Sequence, residues 1–177
     1  MEEEINKLKE ILKNNPNNIN SWIILAQTYY NNGNFEGSIN AYSQARNLDP
    51  SNALILHNLG FIYNELGDYN NAIKNLEKAI QIDPNLSIAW TELSYAYIEK
   101  EEFDETINAC KNALKLNPKD ETAWTNLGSA YYKKKKFKKA VKATKKALEL
   151  ISDLPFAKTV LNLAEKALKM ELNDSMK

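Results

Sequence analysis

The chain is short of the residues that cross-linking and catalysis draw on. A single cysteine, Cys110, excludes an intramolecular disulfide and fits a reducing compartment. A single histidine, His57, excludes a histidine-pair metal site and any relay that needs two imidazoles. Five glycines and five prolines are few for 177 residues, and no glycine stands in a phosphate-cradling pattern. No apolar run approaches the roughly 20 residues that a membrane span requires. The opening Met1-Glu2-Glu3-Glu4-Ile5 is acidic and lacks the apolar stretch of a secretory leader. Net charge is missing too: Lys plus Arg and Asp plus Glu are 23 each, so no overall field draws the chain to nucleic acid or membrane. These absences lead to the expectation of a cytoplasmic, monomeric protein that is no enzyme, needs no cofactor or metal and turns over no small-molecule substrate.

What the sequence has instead is a period. Pro16, Pro50, Pro84 and Pro118 stand 34 apart, as do Ile5, Ile39, Ile73, Ile107 and Val141. Leu25, Leu59, Leu93 and Leu127 keep that step, and so do Tyr29, Tyr63, Tyr97 and Tyr131. Trp22, Leu56, Trp90 and Trp124 form a further register. A fixed period of this length marks stacked supersecondary units, each of which buries its apolar face only against its neighbours. Within one unit, Leu56, Leu59, Gly60, Ile62 and Tyr63 recur at helical spacing, Gly67-Asp68 breaks the pattern, and Tyr69, Ala72, Ile73, Leu76, Ala79 and Ile80 resume it. Asp83-Pro84-Asn85 then stops the second helix.

The expected architecture is therefore all-α, a solenoid of antiparallel helix pairs forming one domain over 1–177. Residues 2–15 form an initial second-type helix, 19–52, 53–86, 87–120 and 121–154 form four full repeats, and 155–172 form a terminal helix. Lys158, Asn162, Glu165, Lys166 and Lys169 are expected to make the outer face of that last helix polar, as an end cap requires.

The repeats resemble the tetratricopeptide repeat, whose pattern runs W-x2-L-G-x2-Y and then A, F, A and P. Trp22, Leu25, Ala26, Tyr29, Ser38, Tyr42, Ala45 and Pro50 carry it in the first repeat. The fourth reads Trp124, Leu127, Gly128, Tyr131, Ala140, Thr144 and Ala147, with Ser152 where proline is expected. Gly60 and Gly128 are read as close-approach positions, and Cys110 as a buried, inert thiol. The resemblance implies a right-handed superhelix in which the first helix of each pair lines a concave channel that holds peptides or helices. It places Ile24, Gln27, His57, Asn58, Phe61, Glu92, Tyr95, Asn126 and Ser129 on that face. Asn58 and Asn126 share a register and suit a peptide backbone, since an amide both donates and accepts. The apolar members, with Ile23, Leu54 and Ile88, imply a neutral or apolar peptide partner.

One subgroup of the family grips the acidic carboxyl-terminal tail of chaperones with lysine, arginine and asparagine. The matching positions here are Ile23, Gln27, Asn58, Ile88 and Glu92, of which only Asn58 agrees, so a chaperone tail is not the expected partner. The alternative is an electrostatic docking module for nucleic acid or another polyanion. Nine lysines lie between Lys133 and Lys146 with no acid among them, and Lys134, Lys138 and Lys142 are its candidate contacts. The cluster lacks arginine and interleaved free aromatics, so sequence-specific nucleic-acid recognition is not expected.

Overall fold

In the computed structural model, which describes residues 2–175, ten helices and no strands are found among the described residues. They are α1 Glu2–Asn14, α2 Ile19–Asn31, α3 Phe35–Leu48, α4 Ala53–Glu65, α5 Tyr69–Ile82, α6 Ser87–Glu99, α7 Phe103–Leu116, α8 Glu121–Lys133, α9 Phe137–Leu150 and α10 Pro155–Asp174. The period is kept to the residue. First helices open at Ile19, Ala53, Ser87, Glu121 and Pro155, and second helices at Phe35, Tyr69, Phe103 and Phe137. The expected all-α solenoid of helix pairs is what forms.

Local chemistry sets the boundaries. Asn18, Asn34, Asn52, Asp68 and Asp120 each accept a hydrogen bond from a backbone N–H of the first turn, and so cap α2, α3, α4, α5 and α8. Gly33 and Gly67, with φ of 71° and 73°, take the left-handed conformation that turns the first helix of a pair into the second. Glu101 and Lys135 hold the same turn position in the later repeats, at φ of 60° and 56°. The residues after them, Glu102 and Lys136, make no side-chain cap. The last two turns thus lack both the glycine and the cap that the first two possess.

The contacts cluster into two compact units, one up to Leu86 and one from Ser87. In the first, α2 packs on α1 and α3, and α4 on α3 and α5. Leu8, Leu12, Leu25, Ala26, Ala41, Tyr42, Ile55, Leu59 and Ile62 form its core. In the second, α8 packs on α7 and α9, and both α6 and α10 lie against α8. Close approach is built into the pairs: a Cβ on Gly60 would stand 2.5 Å from Leu76 Cγ, and one on Gly128 would strike Thr144 Oγ1. The tryptophans sit at the core's edge, half-buried, and not at its centre. Trp22 Nε1 donates to the Pro16 carbonyl at 2.8 Å, and Trp124 Nε1 to the Pro118 carbonyl at 3.0 Å. At these two junctions the proline and the tryptophan six residues on fasten the turn to the helix that follows it.

The terminal helix ends at Asp174, two residues past the expected 172, and Lys158, Asn162, Glu165, Lys166 and Lys169 are exposed on it. Large apolar side chains share that surface with them. Ala157, Val160 and Ala164 are buried, while Phe156, Leu163 and Met170 stand 58%, 44% and 59% exposed, seven residues apart on one face. Phe156 and Leu163 fall 34 residues after Thr122 and Ser129. They therefore continue the face that the resemblance assigns to a channel.

Candidate functional site

The candidate residues gather in two places, one in each unit. In the first unit, Gln27, Asn58 and Phe61 line a shallow hollow of about 280 Å³ together with Tyr30, Asn31, Tyr42 and Ile62. The Tyr30 and Phe61 rings meet tilted, with centroids 5.5 Å apart. Tyr42 comes from the second helix of the pair, yet its phenol reaches this face. Burial pushes its pKa up, and hydrogen bonds with the Gln27 and Asn58 side chains oppose that shift. Asn58 Oδ1 also lies 3.1 Å from His57 Nδ1. His57 is half-buried, and desolvation lowers its pKa while the Asn58 bond raises it. Asn58 thus organises a local network as well as facing the hollow, which its spacing alone did not reveal. Ile24, on α2 with Gln27, is 45% exposed but does not line the hollow.

The second unit holds a larger cavity of about 630 Å³ over α8, between α6 and α10. Of the candidate residues, Tyr95, Asn126 and Ser129 line it; Glu92 is half-buried and does not. Its walls are apolar: Tyr95 and Ile98 on α6 with Phe103 beyond, and Leu154, Pro155 and Phe156 at the start of α10. Its floor is small and polar, made by Thr122, Thr125, Asn126 and Ser129 of α8. Asn126 and Ser129 are each only 6% exposed, deeper than residues on an open helix face. Asn126 Nδ2 donates to Ser94 Oγ at 3.0 Å. Glu99, Glu101, Glu121 and Lys133 complete the lining.

Phe156, Ile98 and Phe103 were missed by pattern reading. Phe156 lies in what reads as a cap, and Phe103 opens α7, outside the first helices that the resemblance assigns to the channel. The available signal was the 34-residue step from Ile88 through Thr122 to Phe156.

The lysine cluster is less free than its sequence implies. Lys134 pairs with Asp104, Lys145 with Glu165 at 2.9 Å, and Lys146 with Glu149. Lys139 lies over the Tyr131 ring, 5.7 Å from its centroid. Lys138 and Lys142 remain exposed. The Lys134 ammonium holds the Asp104 carboxyl below its ordinary range. Cys110 is fully buried, and desolvation pushes its thiol up to about 12, so it carries no thiolate chemistry near neutral pH.

Family models described as tetratricopeptide repeat match residues 7–40, 53–86 and 122–154, and one described as TPR repeat matches 26–67 and 94–135. The chain belongs to the tetratricopeptide repeat family. No curated protein matches it. Among solved structures, a crystal structure of MamA is 29% identical with a TM-score of 0.78, over 82% of this chain and 85% of that one. The first tetratricopeptide domain of human RPAP3 is 28% identical with a TM-score of 0.65, over 70% of this chain and 98% of that one. The first such domain of Spaghetti (RPAP3), bound to the HSP90 peptide SRMEEVD, is also 28% identical, with a TM-score of 0.65, over 68% and 96%. Tetratricopeptide scaffolds mediate protein–protein interaction, and no helix among the described residues is long and apolar enough to cross a membrane.

Proposed function

We propose that the protein is a non-catalytic adaptor that holds an apolar peptide segment on the first-helix face of its repeats. The observation that carries this reading is the cavity of about 630 Å³ in the second unit, with Tyr95 and Phe156, 37% and 58% exposed, on opposite walls. Large aromatic side chains left in water around a concavity mark a surface made for a partner. The Gln27, Asn58 and Phe61 hollow is a second, smaller contact for the same kind of ligand. An RPAP3 domain with this fold takes an acidic HSP90 tail, but the positions that would grip one here are Ile23, Gln27, Ile88 and Glu92 beside the lone match Asn58. Carboxylates at Glu99, Glu101 and Glu121 would repel such a tail. A polyanion dock on the lysines from Lys133 to Lys146 draws less support, because three of these nine already pair with acids and a fourth lies over a tyrosine ring.

A displayed library of random twelve-residue peptides tests this reading. Enrichment of apolar sequences is expected, with capture lost in Phe61→Ala/Tyr95→Ala/Phe156→Ala at unchanged helical circular dichroism. Fluorescence anisotropy with SRMEEVD should show no binding. Enrichment of acidic sequences, or capture that survives the triple variant, would overturn the proposal.

A further inference from the structure

The second-unit cavity has a chemistry that narrows its ligand, an inference that rests on the peptide-binding reading above. Its two walls are apolar and its floor is polar. In an extended peptide, successive side chains point to opposite sides while the backbone stays between them. A segment laid along α8 therefore sends neighbouring side chains to opposite walls, one toward Tyr95 and Ile98, the next toward Phe156. Its backbone lies over Asn126, which is only 6% exposed and whose Nδ2 donates to Ser94 Oγ at 3.0 Å. An amide both donates and accepts, so its Oδ1 is the atom suited to a peptide N–H. A helical ligand would present its apolar residues three and four apart on one side, which suits one wall and not two.

The rim adds a sign. Three carboxylates, Glu99, Glu101 and Glu121, line the cavity against one ammonium, Lys133. We infer that this site selects an extended segment of a partner protein with two adjacent apolar side chains flanked by lysine or arginine. Charge complementarity at a rim acts on selectivity and encounter more than on total affinity, and salt weakens it.

Fluorescein-labelled peptides test this inference. Three carry Leu-Phe, Ile-Val or Phe-Leu between lysines; three carry the same pairs between glutamates; three carry a glycine inserted between the two apolar residues. Anisotropy should show the best lysine-flanked peptide binding at least about tenfold tighter than its glutamate-flanked twin at low salt, with the gap shrinking at high salt. The inserted glycine should cost about tenfold, because it sends both side chains to one wall. Glu101→Gln/Glu121→Gln should reduce the lysine preference to under about threefold, and Phe156→Ala should weaken all nine peptides together. Equal binding of both charge classes, lost in Phe156→Ala, would sink the charge rule and leave the peptide-binding reading standing. Indifference to the inserted glycine would sink the two-wall geometry. No binding by any peptide, with Phe156→Ala without effect, would remove both the inference and the reading beneath it.

Discussion

Glu101 and Lys135 sit where the first two repeats have glycine, and a side chain there is strained. Left-handed backbone costs a non-glycine residue about 1–2 kcal/mol, and part of that is offset because glycine loses more freedom on folding. Lys135→Gly should therefore stabilise the protein by about 0.5–1 kcal/mol in urea melts. Lys136→Asp, which restores the cap found at Asp68, should add about 1 kcal/mol. A melt in which Lys135→Gly is destabilising would contradict the strain. His57 is the second residue whose behaviour follows from its surroundings. Its folded pKa is lowered by desolvation, so the unfolded chain binds the proton more readily. Its stabilising contribution is therefore present above the unfolded histidine pKa of about 6.5 and falls away as pH drops below it. Thermal melts at pH 7.5 and 5.5 should show a drop in Tm that is smaller in His57→Gln. An equal drop in both would assign the pH dependence to other groups.

At the scale of single elements, the helices were legible in the sequence because their cues are local. Apolar spacing, Gly67-Asp68 and the prolines at four junctions mark where helices run and stop, while the last junction has Ser152 at that position. The side-chain roles were less legible, because they depend on which neighbour a residue meets. Trp124 reads as one member of a 34-residue register, and the register does not reveal that it lies half-buried and donates its indole N–H to the Pro118 carbonyl. Asn126 reads as an exposed groove amide, yet it is buried against Ser94. The α10 helix reads as a polar cap, yet Phe156 and Leu163 continue an apolar face. Periodicity says which residues are equivalent; it does not say what packs against the last of them. The Trp124 bond gives a direct check. Trp124→Phe keeps most of the apolar contact and loses the hydrogen bond, so it should cost about 1 kcal/mol, while Trp124→Ala should cost roughly 2–4 kcal/mol. Equal costs for the two would mean that the hydrogen bond contributes nothing.

Over the whole molecule, charge cancels in sum but not in place. The acidic residues from Glu99 to Glu105 and the lysines from Lys133 to Lys146 occupy successive repeats, and Asp104 with Lys134 links the two segments. Lys138 and Lys142 still present positive charge to solvent, so labelled RNA should bind weakly and without sequence preference at low salt. That binding should vanish near physiological salt, where exposed charges are screened beyond about 8–10 Å. Submicromolar binding at physiological salt, abolished by Lys134→Glu/Lys138→Glu/Lys142→Glu, would make the lysine face the principal site. The measurement that bears most directly on the central claim is amide chemical-shift mapping of the intact chain with its best apolar peptide. Shifts should concentrate at Tyr95, Asn126, Ser129 and Phe156, and disappear in Phe156→Ala. Shifts confined to Lys138, Lys142 and their neighbours on α9 would contradict the peptide-binding account.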